Sequence, residues 1–224
     1  MPRVLRVDVA NHIYHVLNRA NARVQIFSKN SDYKLFEQIV EEALERFEVD
    51  LLAYCIMPNH WHLVLYPKID GELAKFMGWL TNTHTRRYHA QNKTIGQGHL
   101  YQGRYKSFIC QDDKHFLTLC RYVERNAKKA DLCTRAENWK WSSVYRREHG
   151  GIEQKKILSN WPVLIPQDYL TWLNQPQTAS EEEAIELATR RNSPYGSDLW
   201  KSSIIKQYGL EQTVRNPWRP KKCG

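Results

Sequence analysis

Paired cysteines are missing from this sequence. Its 224 residues include five, Cys55, Cys110, Cys120, Cys133 and Cys223, an odd number with no C-x-x-C spacing. That excludes a disulfide scaffold or a zinc ribbon as the organising element. No apolar run approaches the ~20 residues of a membrane span, and the opening stretch MPRVLRVDVANH has no apolar core of a secretory signal. The expectation is a reducing, cytoplasmic setting. Acidic residues are in deficit: 24 Asp and Glu stand against 33 Lys and Arg, for a formal charge of +9 and a pI near 9.3. An excess of this sign favours a polyanionic partner, because each cation that meets a phosphate releases a counterion. No internal repeat is visible.

The charge is unevenly spread. Ser31 to Asp50 carries seven acids and two bases, whereas Tyr101 to Gly150 carries eleven bases and six acids. Arg215, Arg219, Lys221 and Lys222 follow near the C-terminus in a segment with two prolines, which is expected to be extended. With 42% apolar residues the chain can bury a sizeable core.

Alternation over 12–19 predicts a strand with Ile13, His15 and Leu17 on one face. Asn30 or Ser31 is placed to cap a helix carrying Tyr33, Phe36, Val40, Ala43, Leu44 and Phe47 at helical spacing, its acids on a solvated face. Two strands, Val49 to Met57 and His60 to Tyr66, flank a Pro58-Asn59 turn. A helix over about 72–91, a strand over 105–110 and a third helix capped by Asp112 follow. This order gives an α+β fold of ferredoxin-like split βαβ plan, an antiparallel sheet with helices on one face and the other face open to a ligand. Gly150-Gly151 suggests a joint between a catalytic domain, 1–149, and a C-terminal extension with a basic tail, 150–224.

His60 and His62 lie two apart on a strand, so both imidazoles share a face while Trp61, Leu63 and Leu65 point to the other. A metal site is one reading of such a pair; ordinary surface or ligand-contact histidines are another. Tyr122 and Asn126 share a helix face four residues apart. Asn126 offers a carbonyl oxygen suited to a hard divalent cation. Tyr122 offers a phenol, a weak nucleophile unless activated, although among twelve tyrosines spacing alone does not select it.

The stretch AYCIMPNHWHLVLYP, with YHVLNRA before it and GRYKSF, RYVERNAKKADL, NWKWSS and NPWRPKK after it, resembles the REP-associated tyrosine transposases. These are single-tyrosine HUH transposases related to those of small bacterial insertion sequences. The resemblance implies that His60 and His62 are the paired metal-binding histidines, that Tyr122 is the nucleophile and that Asn126 is the third ligand. Ala127 stands where many members have proline, so the helix should run further. The implied activity is metal-dependent cleavage and rejoining of single-stranded DNA next to a hairpin, through a 5′-phosphotyrosine intermediate. Mg²⁺ or Mn²⁺ would be the cofactor, Mn²⁺ being the better match to two imidazoles. The implied partner is single-stranded or hairpin DNA with REP-like palindromes, bound by a nucleoid-associated protein that works as a monomer, or as a dimer in related insertion-sequence enzymes. Arg19, Arg23, Arg104, Lys106, Arg125, Lys128, Arg215 and Arg219 are candidate DNA contacts, and Tyr14, Tyr101 and Tyr105 candidate stacking platforms. The alternatives are a replication initiator or relaxase with the same chemistry, and a non-catalytic nucleic-acid-binding module of ferredoxin-like fold.

Overall fold

The structure, a computed structural model, describes residues 6–215; Arg219 and most of the basic tail lie outside the described residues. Four strands, β1 (Ile13–Arg19), β2 (Val49–Met57), β3 (His60–Pro67) and β4 (Lys106–Cys110), form one antiparallel sheet in the order β2-β3-β1-β4. That is the α+β, ferredoxin-like arrangement expected. A β-bulge at Leu51–Ala53 sets two β2 residues against one of β3. Past it, Tyr54 and Ile56 face one side of the sheet, and Cys55 and Met57 the other.

Helices α1 (Asn30–Arg46) and α2 (Glu72–Asn92) cover one face. Phe36, Ile39, Phe76 and Leu80 pack there on Tyr14, Val16, Trp61, Leu63 and Leu65. The cap of α1 is not Asn30 or Ser31. Both lie inside the helix, and the Asp32 carboxylate accepts the Ser28 and Lys29 N–H groups at 3.0 and 2.9 Å. Nor is the acidic side of α1 simply solvated. Glu42 forms a two-pronged pair with Arg87 at 2.7 and 2.8 Å, while Glu37 and Glu41 bind Arg146 at 3.1 and 3.0 Å.

The second face is covered too, contrary to the expected one-sided packing. Helix α3 (Lys114–Glu124) and the short α4 (Asn126–Lys129) bury Phe116, Leu119, Cys120, Val123 and Ala127 against Ile13, Cys55, Val64 and Phe108. Asp113 rather than Asp112 caps α3, accepting the His115 N–H at 2.8 Å. The helical path is interrupted only at Arg125 and continues to Lys129.

The extension follows as α5 (Ser143–His149), α6 (Ile152–Lys155), α7 (Tyr169–Asn174), α8 (Ala179–Arg191), α9 (Asp198–Tyr208) and α10 (Glu211–Val214). It is built onto both edges of the sheet. Ser159 N–H and the Trp161 indole donate to Leu51 and Leu52 carbonyls of β2, at 2.9 and 2.8 Å. Tyr195 bridges to the outer edge of β4, exchanging backbone bonds with Ile109 and Gln111. Unpaired strand edges are thereby closed. Ile185 and Ala188 of α8 join the core on the α3 face, and Ile204 and Leu210 the core on the other. Among the described residues no helix is long and apolar enough to cross a membrane.

The far side of α3 is fastened by a buried carboxylate. Glu124, fully buried, accepts from Ser143 Oγ, from the Arg147 guanidinium and from Tyr169 Oη at 2.7 Å. Removing the cation leaves a buried charge unpaired, which costs about 3–5 kcal/mol. Arg147→Ala is therefore expected to lower stability by that order in urea denaturation, and adding Glu124→Gln to recover part of it. No recovery would show that Arg147 acts through packing on Trp161, 4.7 Å from its ring centroid, and not through charge.

Candidate active site

Strand alternation on β3 divides three consecutive residues between two cores. Trp61 enters the α1/α2 side, stacked on Phe36 at 5.5 Å, its indole N–H donating to Tyr101 Oη at 2.9 Å. His60 and His62 face α3, their ring centroids 5.0 Å apart. His62 is 3% exposed and engaged at both nitrogens. Nδ1 lies 2.8 Å from His15 Nε2, and Nε2 lies 3.3 Å from the Asn126 amide nitrogen. His60 Nδ1 sits 2.6 Å from Asn59 Oδ1; with the proton on that nitrogen, the Nε2 lone pair is bare.

Burial keeps these imidazoles neutral. It pushes His60 down to about 4, helped by the Arg19 charge, and His15 down to about 3. His62 is held well below the ordinary histidine range by burial first, then by His60, His15 and Arg19. Neutral imidazole is the form that ligates metals. Among the described residues no cluster of three or more His, Cys, Asp or Glu side chains is arranged to hold a metal ion. The donor set here is two imidazoles and a carboxamide, and a half-turn of the Asn126 amide exchanges its nitrogen for the oxygen a cation needs.

The Tyr122 ring meets both His62 and His15 edge-on, with centroids 6.0 and 6.4 Å away. Its phenol is pushed up to about 12, by burial first and then by Glu186 and Glu182, with Arg19 opposing. Both carboxylates belong to α8. They pair with Lys129 at 3.7 and 2.9 Å, whose ammonium lies 5.9 Å from the Tyr122 ring centroid. The extension thus sets the charge around the tyrosine.

Of the cations expected at DNA, four converge. Arg19, Arg23, Arg104 and Lys106 line one groove of about 730 Å³, together with Glu186 and Arg190 of α8. Three others lie elsewhere. The Lys128 ammonium is bound to Asn174 O and Oδ1 at 2.8 and 3.2 Å, which is a structural role. Arg125 is half-buried, its Nε without a hydrogen-bond partner among the described residues. Arg215 is exposed just after α10. The proposed stacking tyrosines need correction. Tyr14 is buried, with its hydroxyl bonded to both Val9 backbone groups. Tyr101 is buried between Trp61 and His84. Tyr105 already carries the Arg6 guanidinium 4.1 Å over its ring. Sequence reasoning missed His15 as a partner of the pair, and Arg190, Glu182 and Glu186. His15 shares a strand phase with Ile13 and Leu17, the one available hint.

The family "Transposase IS200 like" matches residues 8–126, a span that contains His15, His60, His62, Tyr122 and Asn126. A Haemophilus influenzae protein assigned by name to the REP-associated tyrosine transposases is 23% identical over 119 residues, covering 50% of this chain and 68% of that relative. A solved structure of a REP-associated tyrosine transposase bound to a REP hairpin superposes with a TM-score of 0.57 at 16% identity, covering 67% of this chain and 87% of the other. With the family match spanning more than half its length, this chain belongs to the IS200-like transposases.

Proposed function

We propose that the protein is a transposase of REP-associated type that cleaves and rejoins single-stranded DNA beside a hairpin, with Tyr122 as its nucleophile. The observation that carries this reading is the meeting of His60, His62, Asn126 and Tyr122, from β3 and the α3–α4 path, on one face of the sheet. The hairpin enters from the relative whose structure is bound to one.

The residues fit a divalent cation. His60 Nε2, His62 Nε2 and Asn126 Oδ1 would hold Mg²⁺ or Mn²⁺, which when bound polarises the scissile phosphate and stabilises its developing charge. His15 orients the first of these ligands indirectly: by accepting from His62 Nδ1–H at 2.8 Å, it directs the Nε2 lone pair inward. Tyr122 Oη forms a bond to phosphorus as the P–O3′ bond breaks. The phenolic proton is lost, and the leaving 3′ oxygen gains one and departs as a hydroxyl. A later 3′-OH attacks the phosphotyrosine and releases the phenol. A phenol raised to about 12 is protonated at neutral pH, so its proton must leave during attack.

Incubation with labelled hairpin DNA carrying a single-stranded flank is expected to give an SDS-resistant protein–DNA adduct. Tyr122→Phe should abolish the adduct while binding persists, and excess EDTA should suppress it. An adduct in Tyr122→Phe moves the nucleophile to another residue; binding without any adduct in the wild type favours the non-catalytic module.

Titration calorimetry with Mn²⁺ reads the cradle directly. His60→Ala should abolish binding. His15→Phe should weaken it by about 10–100-fold, as loss of an orienting partner does. The pH dependence follows from the sign of the shifts. An ordinary imidazole gains its proton as pH falls through about 6.5, but burial holds His60 down to about 4 and His62 well below the ordinary histidine range. Mn²⁺ affinity should therefore stay level from pH 7.5 to about 5 and fall only towards 4. A decline centred near 6.5 would contradict the neutral, buried pair.

A further inference from the structure

The last residue of β1 brings a cation to the histidine pair. Ile13, His15, Leu17 and Arg19 share one phase of the strand. Ile13 joins the core under α3, and His15 meets the Tyr122 ring. The antiparallel register sets Leu17 directly opposite His62 and Arg19 directly opposite His60. Arg19 therefore leaves the sheet on the same side as the two imidazoles, one strand away. Side chains that face one another across such a pair start about 5 Å apart. Among the cations of the groove, Lys106 pairs with Leu17 on the other side of β1 from β3, so it is Arg19 that faces the pair.

Arg19 has no internal use for its charge. Arg121, Lys129, Arg146 and Arg147 are each matched to a carboxylate. Arg19 is half-buried, yet among the described residues no carboxylate pairs with its guanidinium, and its Nε is buried without a hydrogen-bond partner. Glu186, the acid that lines the same groove, is taken by Lys129 at 3.7 Å. A buried donor left without an acceptor is costly, and the cost is removed when an anion fills the position.

The charge is felt where the candidate site residues meet. Burial comes first for all of them, but Arg19 helps to hold His60 and His62 down and works against the rise of the Tyr122 phenol. Those three side chains come from β3 and from α3. One unpaired guanidinium thus lies within reach of both the imidazole pair and the phenol, at the inner end of a groove lined by Arg23, Arg104, Lys106 and Arg190.

We propose that Arg19 is a further catalytic residue, its guanidinium donating to the non-bridging oxygens of the scissile phosphate. The inference rests on the reading of the chain as a transposase with Tyr122 as nucleophile, and it moves Arg19 from a contact along the DNA backbone to the reacting group itself. In the step, Tyr122 Oη bonds to phosphorus as the P–O3′ bond breaks. The phenolic proton passes to water, and the leaving 3′ oxygen takes one from water. Arg19 gives up no proton. Its forked N–H groups hold the oxygens on which negative charge builds, a fit that the point charge of lysine does not reproduce. A divalent cation on His60 would stand one strand away from this second positive charge. With no phosphate between them the two repel.

Two measurements on the full chain with Arg19→Met and Arg19→Lys test this. The first is titration calorimetry with Mn²⁺ in the absence of DNA. Arg19→Met should bind Mn²⁺ about threefold or more tightly than wild type, because a repelling charge has gone; Arg19→Lys, which keeps the charge, should not. A residue that only shapes the cradle would change the affinity in the opposite direction. The second is the single-turnover rate of adduct formation at saturating labelled hairpin DNA with a single-stranded flank. Arg19→Met should lower that rate by about 10²–10³-fold, and Arg19→Lys should recover part of it. Weaker or unchanged Mn²⁺ binding in Arg19→Met overturns the proposal. So does a wild-type rate for Arg19→Met at saturating DNA, which would leave Arg19 a tether for the backbone. A wild type that forms no adduct fails the transposase reading and the proposal with it, whereas equal rates in wild type and Arg19→Met fail the proposal alone.

Discussion

A sheet covered on both faces leaves little water for the polar groups it carries, and β3 sends two imidazoles into the layer under α3. His62, 3% exposed, must find its hydrogen bonds in side chains, since an unpaired buried polar atom costs about 1–3 kcal/mol. The local architecture answers that need. His15 reaches it from β1 and Asn126 from the start of α4, so one ring links neighbouring strands to the helix path that carries Tyr122. The same burial lowers the imidazole pKa values and raises the phenol's. Neutral imidazoles and a protonated phenol are thus two consequences of one enclosure.

The chain beyond the family match adds to this enclosure. Ile185 and Ala188 of α8 sit in the core on the α3 side of the sheet, and the carboxylates on the same helix pair with Lys129 beside the tyrosine ring. Anchoring continues behind α3, where Glu124 gathers Ser143, Arg147 and Tyr169 from α5 and α7. Helix α3 is therefore held from its sheet side by apolar packing and from its outer side by an ionic network. Displacing either support would move Tyr122 relative to the histidines.

Much of this was legible in the sequence where periodicity is strong. The strands of the β2–β3 hairpin, the opposed faces of Trp61 and His62, and the helix face shared by Tyr122 and Asn126, four positions apart, all follow from periods of 2 and 3.6. The covering of the second face was not legible, because the apolar stripe of α3 shows that the helix packs but not which side of the sheet it meets. His15 was read as one more strand residue; only the pairing of Leu17 with His62 shows that His15 lies diagonally next to it. Tyr14 and Tyr101 were read as platforms because aromatic composition does not record burial. The caps of α1 and α3 were each misplaced within a run of candidate residues, Asn30-Ser31-Asp32 and Asp112-Asp113, where geometry alone decides which oxygen reaches the free N–H groups.

Net charge was the weakest guide, for a physical reason that the cation-rich 101–150 segment makes plain. Arg121 donates to the Gln175 and Pro176 carbonyls and lies over Trp172. Lys128 holds Asn174, Lys129 holds two α8 carboxylates, Arg135 pairs with Glu137, and Arg146 and Arg147 bind Glu37, Glu41 and Glu124. A cation already matched to a carboxylate or carbonyl contributes little field to a distant phosphate. Arg104 and Lys106 are the members of that segment that stand exposed at the groove, where Arg19 and Arg23 join them from β1 and the turn after it. The positive potential is therefore concentrated at one end of the β1–β4 pair.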